Sequence, residues 1–371
     1  MRVGVPKEIK SNEYRVGLVP ASVRELVHNG HEVLVEAAAG AGVGFDDADY
    51  RAAGARVVGS PAEAFAADLI VKVKEPQPQE IGMLGEGQVL FTYLHLAADP
   101  KLAQGLIASG CVAIAYETVT DARGGLPLLT PMSEVAGRMS VQVGAHCLEK
   151  EQGGRGVLLG GVPGVPGADV VVLGGGVVGA NAARMAMGLG ARITVIDKSL
   201  PRLYELDLQF GAKLNTLFAT RDAIEQAVAQ ADLVIGAVLV PGAAAPKIVT
   251  RGMVRGMKRG AVVVDVSIDQ GGCFETSRPT THDRPTYVEE GVVHYCVSNM
   301  PGAVARTSAV ALNNATLPFV LALANKGYRK ALADDRHLLA GLNVHKGRIT
   351  YEAVARDLGY EYLPAVQAIG E

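Results

Sequence analysis

The segment that most limits how this chain can fold is a strand-like run followed at once by a glycine turn and a helix. Val170-Val171-Val172-Leu173 leads into Gly174-Gly175-Gly176-Val177-Val178-Gly179, then an alanine-rich stretch over residues 180–189. A second apolar run at residues 192–196 completes a β-α-β unit of about thirty residues. G-x-G-x-x-G carries little weight by itself in a protein with 45 glycines; its position after a strand and before a helix gives it meaning. Gly174 permits the tight turn, Gly176 lets backbone approach a pyrophosphate, and Gly179 packs helix against strand. The helix N-terminus then offers unpaired N–H groups and partial positive charge to phosphates. Asp197 ends the next run, 18 residues past Gly179, where a carboxylate accepts hydrogen bonds from ribose hydroxyls and repels a 2′-phosphate. NAD is therefore expected rather than NADP, although Lys198 and Arg202 act in the opposite sense. The alternative is a glycine-rich turn followed by a solvated aspartate.

A similar alternation opens the chain. Residues 2–5, 32–36 and 69–72 are β-rich, each followed by helically spaced residues, and further runs at 89–94 and 112–116 end at His95 and Glu117. After the glycine turn, runs at 233–237 and 262–266 continue the second series. Strands alternating with helices imply parallel, doubly wound sheets. With 371 residues, two domains are expected. The reading is α/β: two doubly wound Rossmann-like domains with a cleft between them. Residues 1–130 plus 305–371 form a discontinuous substrate and catalytic domain, and 131–304 form the NAD-binding Rossmann domain. Residues 131–150 read as a helix linking the first to the second, and 303–317 as a helix leading back, kinked or ended by Pro318. The glycine-rich residues 153–167 read as a surface hairpin.

Composition excludes several classes. The net charge of −3 comes without a basic tract, so no nucleic-acid partner is expected. Cys111, Cys147, Cys273 and Cys296 are far apart, with no C-x-x-C pair, so neither a metal site nor a disulfide framework is expected. The first residues contain no apolar signal core. The longest weakly charged stretch, 156–183, is broken by Pro163, Pro166 and Asp169, so no membrane span is expected there. These features imply a cytoplasmic protein whose partners are small molecules and copies of itself.

Ligands of open α/β sheets sit beyond the carboxyl ends of strands. Polar residues just after apolar runs are Lys74, His95 and Asp269, and Arg15 lies between the first run and the first helix. All four can reach one cleft. Arginine and lysine suit a substrate carboxylate, and histidine suits a proton moved as hydride leaves. The alternatives are a structural histidine, solvated cations and an aspartate capping a turn.

The chain resembles alanine dehydrogenases over essentially its whole length. The resemblance is carried by GVPKEIKSNEYRVGLVPA, VKVKEP, TYLHLA, LLTPMSEVAGRMS, GAVLVPGAAAPKIV, VDVSIDQGGCFETSRPTTHD and SNMPGAVARTSAVALNNATLPF. It implies reversible oxidative deamination of L-alanine to pyruvate and ammonium. It assigns substrate binding to Arg15 and Lys74, and catalysis to His95 and Asp269. Cofactor contacts fall on Ser133, Val177, Val178, Asp197, Arg202, Val238, Leu239, Val266, Ser267, Ile268, Asp269, Arg278, Val297, Ser298, Asn299 and Met300. A family serine near the adenine is Ala219 here, beside Thr220, which puts that contact in doubt. The family is typically homohexameric. Other readings are the NAD-binding subunit of a proton-translocating transhydrogenase, which needs no substrate acid or base at His95, and an NAD-sensing module without turnover.

Overall fold

The computed structural model describes residues 1–238 and 245–370. In chain order its strands are β1 (Arg2–Val5), β2 (Glu32–Glu36), β3 (Arg56–Val58), β4 (Leu69–Val71), β5 (Val89–Thr92), β6 (Val112–Ala115), β7 (Asp169–Leu173), β8 (Arg192–Asp197), β9 (Leu214–Phe218), β10 (Leu233–Gly236), β11 (Val262–Asp265), β12 (Thr286–Glu289), β13 (Val292–Tyr295), β14 (Leu342–His345) and β15 (Arg348–Ile349). They form two separate sheets in two compact units, Met1–Met132 with Val304–Glu371, and Ser133–Ala303.

The first sheet has the order β15-β14-β6-β5-β4-β1-β2-β3. From β6 to β3 every pairing is parallel, whereas β14 lies antiparallel to β6 and to β15. The second has the order β12-β13-β11-β10-β7-β8-β9, parallel except for the β12–β13 edge pair. Strands β5, β6, β10 and β11 are buried at every residue. That is why each begins with three consecutive apolar residues rather than alternating ones, with Thr92 and Asp265 coming only at the ends of β5 and β11: helices cover both faces of a parallel sheet.

Some details depart from expectation. The glycine turn is shorter than expected, because the helix begins at Val177 and runs to Gly188, with Gly179 inside its first turn. Its buried residues Gly179, Ala182, Ala183 and Ala186 form a stripe of small side chains at helical spacing, which draws the helix close to the sheet. The Ala305–Lys326 helix passes straight through Pro318. Val320, Leu323 and Ala324 are buried beyond it, and this packing outweighs the missing N–H. That region, Met300–Lys326, is also the one helix among the described residues long and apolar enough to cross a membrane, rather than anything in residues 156–183. It serves as a core helix here. Asn313, buried on it, accepts the Val19 N–H at 2.8 Å and donates to the Ala309 carbonyl at 2.9 Å. Residues 162–165 form a tight antiparallel bridge with Val162 and Val165 exposed. All four cysteines are buried and unpaired.

Candidate functional site

Strand order locates the first half of the site. In the first sheet β1 lies beside β4; the chain leaves β1 towards β2 and β3, and leaves β4 towards β5 and β6. Successive loops therefore diverge at the carboxyl ends of β1 and β4, the switch point at which a crevice opens. Arg15 comes from the loop after β1, Lys74 from the loop after β4, and His95 from the end of β5. Gly17 allows the first loop to press against the second, since a Cβ there would stand 2.2 Å from the Val71 carbonyl oxygen.

Arg15 is buried, and so is its partner Glu13. Glu13 Oε1 accepts from Arg15 Nε and Oε2 from Nη2, each at 2.7 Å, while Oε1 also takes the Arg15 backbone N–H at 3.0 Å. Arg15 Nη1 lies 3.0 Å from Met132 Sδ. Burial alone would raise the Glu13 carboxyl, but the hydrogen bond and charge of Arg15 outweigh it and hold it below the usual range. Lys74 is half-buried next to this pair. Burial and the Arg15 guanidinium push its ammonium below the usual lysine value, with Glu13 pulling the other way.

The main chain of Lys74 is pinned from both sides. Glu8 Oε1 accepts the Val73 N–H at 2.7 Å and the Lys74 N–H at 3.4 Å, and the Lys74 carbonyl accepts from Thr92 Oγ1 at 2.9 Å. Glu8 is held in turn by Lys72, whose wholly buried Nζ lies 3.3 Å from Glu8 and 2.7 Å from Glu80. Two buried carboxylates thus flank one buried ammonium. Desolvation raises Glu8 above the ordinary carboxylate range despite Lys72.

His95 adopts a left-handed backbone, φ 50° and ψ 41°, which costs a non-glycine residue about 1–3 kcal/mol. The Glu117 carboxylate holds it there. Oε1 accepts the His95 N–H at 2.5 Å, both oxygens lie 3.2 Å from the Leu94 nitrogen, and Oε1 is 3.8 Å from His95 Nδ1. The imidazole is half-exposed and lies parallel to the Tyr93 ring, centroids 5.9 Å apart. The Tyr93 hydroxyl donates to the Leu128 carbonyl at 2.6 Å, and Arg15 is close enough to act on it electrostatically. Arg15, Lys74, Tyr93 and His95 are therefore one neighbourhood. A cavity of about 260 Å³ is lined by Glu8, Glu13 and Arg15 together with Lys7, Tyr14, Ala38, Ala39, Ala41 and Gly42; neither Lys74 nor His95 lines it.

In the second unit the strand order β9-β8-β7-β10-β11-β13 is the 3-2-1-4-5-6 order of dinucleotide-binding sheets. Gly174 takes φ +97°, a conformation that disfavours any side chain, and a Cβ there would meet the Ala237 carbonyl at 2.7 Å. A Cβ on Gly179 would stand 1.8 Å from the Gly174 carbonyl oxygen, whereas one on Gly176 would meet nothing. The open side of the turn is thus at Gly176, where the Val177 helix begins, and it suits a pyrophosphate. Asp197 braces the turn: Oδ2 accepts the Gly175 N–H at 2.6 Å and Oδ1 the Ser199 N–H at 2.8 Å. Arg202 donates through Nε to the Gly175 carbonyl and through Nη1 to Glu205, each at 2.6 Å.

The remaining expected contacts cluster at the same end of the sheet. The Ala219 N–H bonds the Asp197 carbonyl at 3.0 Å. Ser267 Oγ donates to the Val238 carbonyl at 2.8 Å, joining the β10 loop to the Val266–Gln270 turn that carries Ile268 and the exposed Asp269. Buried Asp265 anchors that turn by accepting from Ser267 N, Cys273 N and Ser277 Oγ. Val297, Ser298, Asn299 and Met300 follow β13, with Asn299 at φ 60°. Arg278 lies over the Tyr287 ring at 4.1 Å. Ser133 is in the first turn of the Thr130–Cys147 helix. Leu239 lies outside the described residues.

Sequence reasoning missed Glu13, Tyr93 and Glu117. The rule that found Lys74 and His95 also marks Glu117, the first charged residue beyond β6. Tyr93 lies beyond the end of β5 and meets His95 only because of the left-handed turn at His95, which no sequence period shows. Glu13 has no local signal, because it meets Arg15 only through the loop's conformation.

Family models agree with this architecture. Residues 4–136 match the alanine dehydrogenase/PNT N-terminal domain and residues 140–352 the alanine dehydrogenase/PNT C-terminal domain. An alanine dehydrogenase of Halomonas elongata is 64% identical over 371 residues, covering all of both chains. A solved L-alanine dehydrogenase structure superposes with a TM-score of 0.95 at 55% identity, covering 97% of this chain and 99% of that one. A transhydrogenase structure from Sinorhizobium meliloti is similar at TM-score 0.84 and 26% identity, covering 94% of this chain and all of the other. The chain belongs to the alanine dehydrogenase/PNT family.

Proposed function

We propose that this protein is an NAD-dependent alanine dehydrogenase that interconverts L-alanine with pyruvate and ammonium. The observation that carries the reading is the buried Arg15 beside Lys74 at the β1/β4 switch point, with His95 joined to them through Tyr93. Identity of 64% and 55% to alanine dehydrogenases, against 26% to a transhydrogenase, supports this activity over hydride exchange between two nucleotides.

The substrate carboxylate is held by Arg15 and Lys74, which orients the Cα–H bond. When bound, the dinucleotide supplies the hydride acceptor. His95 moves the proton as water adds to the iminium carbon and as the carbinolamine collapses to pyruvate and ammonium; Asp269 is its polar partner. The left-handed backbone held by Glu117 and the stacked Tyr93 ring keep the imidazole in one orientation for both steps. Gly174, Gly176, Val177, Val178 and Gly179 cradle the pyrophosphate. Asp197, with a backbone N–H on each oxygen, retains lone pairs for the ribose diol and disfavours a 2′-phosphate. Ser133, Arg202, Ala219, Val238, Leu239, residues 266–269, Arg278 and residues 297–300 complete the cofactor contacts.

The protein works as a cytoplasmic homohexamer in this reading. Exposed Leu200, Tyr204 and Leu208, spaced by four on one helix, support self-association. The deciding experiment mixes protein, NAD and L-alanine at alkaline pH and follows NADH absorbance, with pyruvate plus ammonium as the reverse test. Hydride exchange between nucleotides without alanine turnover would replace this reading by the transhydrogenase one, and light scattering tests the hexamer.

A further inference from the structure

We propose that Glu205 is a second determinant of cofactor choice: by pairing with Arg202 it withholds from a 2′-phosphate the guanidinium that shares Gly175 with Asp197. This role rests on the reading of the second unit as the NAD site.

Gly175 brings the opposed charges together. Asp197 Oδ2 accepts its N–H and Arg202 Nε donates to its carbonyl, each at 2.6 Å. A Cβ on Gly175 would stand 3.3 Å from Asp197 Oδ2 and 3.5 Å from Arg202 Cγ, so both side chains lie against it. The start of the Leu200–Phe210 helix fixes their roots: Asp197 Oδ1 accepts the Ser199 N–H at 2.8 Å, and Ser199 Oγ accepts the Arg202 N–H at 3.3 Å. Three residues farther along that helix, Glu205 Oε2 accepts from Arg202 Nη1 at 2.6 Å. The guanidinium is therefore held by a neutral carbonyl at Nε and by a full negative charge at Nη1. If the Glu205 charge is removed, the carbonyl still keeps Arg202 against the glycine turn, now with its own charge unmatched.

The consequence lies in how a 2′-phosphate is read. A carboxylate at the end of the second strand of such a unit accepts from the ribose diol, and an arginine nearby accommodates the 2′-phosphate instead. This chain has both at the end of β8. Arginine suits phosphate because its planar fork matches two oxygens. Asp197 and Glu205 together offset Lys198 and Arg202, so a phosphate meets no net positive charge. Replacing Asp197 alone removes the like charge but leaves Arg202 paired. Replacing both leaves two cations and no carboxylate from this set. Among the described residues Glu205 is the carboxylate that makes an ion pair with Arg202, and Lys198 makes none. Glu205 is exposed and Arg202 only partly buried, so solvent and salt keep the effect modest.

The test measures dissociation constants of NADH and NADPH with the intact protein at fixed low salt, from the fluorescence of the bound nicotinamide. D197A binds NADPH more tightly than the wild type does. D197A/E205Q binds it about three- to fivefold more tightly again, the range of one exposed charge pair, and raising the salt concentration shrinks this gain. In D197A/R202Q the added E205Q change has no effect, because the Glu205 charge acts through the guanidinium. D197A/D207N removes another exposed carboxylate of the same helix, and its ratio of NADPH to NADH affinity stays that of D197A. A merely structural ion pair lowers the melting temperature of E205Q without moving the ratio, and that result overturns the proposal. So does a gain that persists without Arg202 or that D207N reproduces, since either means bulk charge rather than the pair. The two levels separate cleanly. If D197A binds NADPH no better than the wild type, Asp197 does not face the ribose and the underlying reading fails; a tighter D197A with no added E205Q gain refutes only the role of Glu205.

Discussion

Replacing Gly179 by alanine places a methyl carbon 1.8 Å from the Gly174 carbonyl oxygen and 3.2 Å from Val172 Cγ1. The near atom is backbone, in the turn that Asp197 and Arg202 also hold, so no side chain can rotate away; the helix must lift off the sheet by more than an ångström. In an exposed helix interior the same substitution would gain about 0.8–1.0 kcal/mol of propensity, but overpacking typically costs about 1–3 kcal/mol. Because the clash is with backbone, the upper end of that cost applies, and the net expectation is destabilisation of about 2 kcal/mol, or roughly 4–8 °C in melting temperature for a unit of this size. Gly176→Ala is the matched control. Its Cβ meets nothing and its φ is −63°, so the nucleotide-free protein melts like wild type, but the methyl group projects from the open side of the turn where phosphate must approach. Calorimetry on nucleotide-free protein and fluorescence titration with NADH separate the two effects: Gly179→Ala lowers the melting temperature, and Gly176→Ala weakens NADH at least about tenfold, some 1.4 kcal/mol. A Gly179→Ala protein that melts with wild type refutes the close packing. Wild-type NADH affinity in Gly176→Ala places the pyrophosphate elsewhere.

Three further outcomes follow from the same structure. Lys72→Met strands Glu8 and Glu80, and breaking such a buried pair costs about 3–5 kcal/mol in urea unfolding near neutrality. Because burial raises Glu8 above its ordinary 4.5, that carboxyl favours the fold below its unfolded value and ceases to as pH rises through its folded one, so the deficit shrinks towards about pH 5; a deficit that grows on acidification contradicts this. His95→Gln lowers turnover by about 10²–10⁴ with NADH affinity nearly intact, and steady-state rates near wild type would remove His95 from the chemistry. Asp197→Ala shifts the NADP-to-NAD ratio of kcat/KM upward by about tenfold, less than a bare charge contact of about 4 kcal/mol implies, because Arg202 is already engaged by the Gly175 carbonyl and Glu205; an unchanged ratio at fixed salt means that Asp197 does not face the ribose.

Much of this protein is legible in its sequence because the relevant physics is local. Parallel strands covered on both faces are mostly apolar, so residues 89–91, 170–173 and 262–264 are visible as runs, and the polar residues that follow such runs are visible as candidates. The glycine turn is equally local: each glycine answers to a backbone constraint within a few residues. Strands β3, β9 and β12 to β15 escaped notice: β3, β9, β12 and β15 are sheet edges and partly solvated, as the exposed Leu217 and Phe218 show, and β13 and β14 are four-residue runs interrupted by His294 and Asn343. The span of the Ala305–Lys326 helix could not be read from Pro318, since whether a proline ends a helix depends on what the residues beyond it pack against. What only the tertiary structure decides is how the charges pair. Arg15 and Lys74 stand out in sequence as two cations; that Glu8 meets Lys72 and that Glu117 twists His95 into a left-handed backbone depend on loops meeting across 22 to 66 residues, while Glu13, two residues from Arg15, and Glu80, eight from Lys72, meet their partners only through the local path of the chain. Sequence periodicity carries which face is buried, but no information about which buried carboxylate meets which cation, because that pairing is set by the three-dimensional path of the loops.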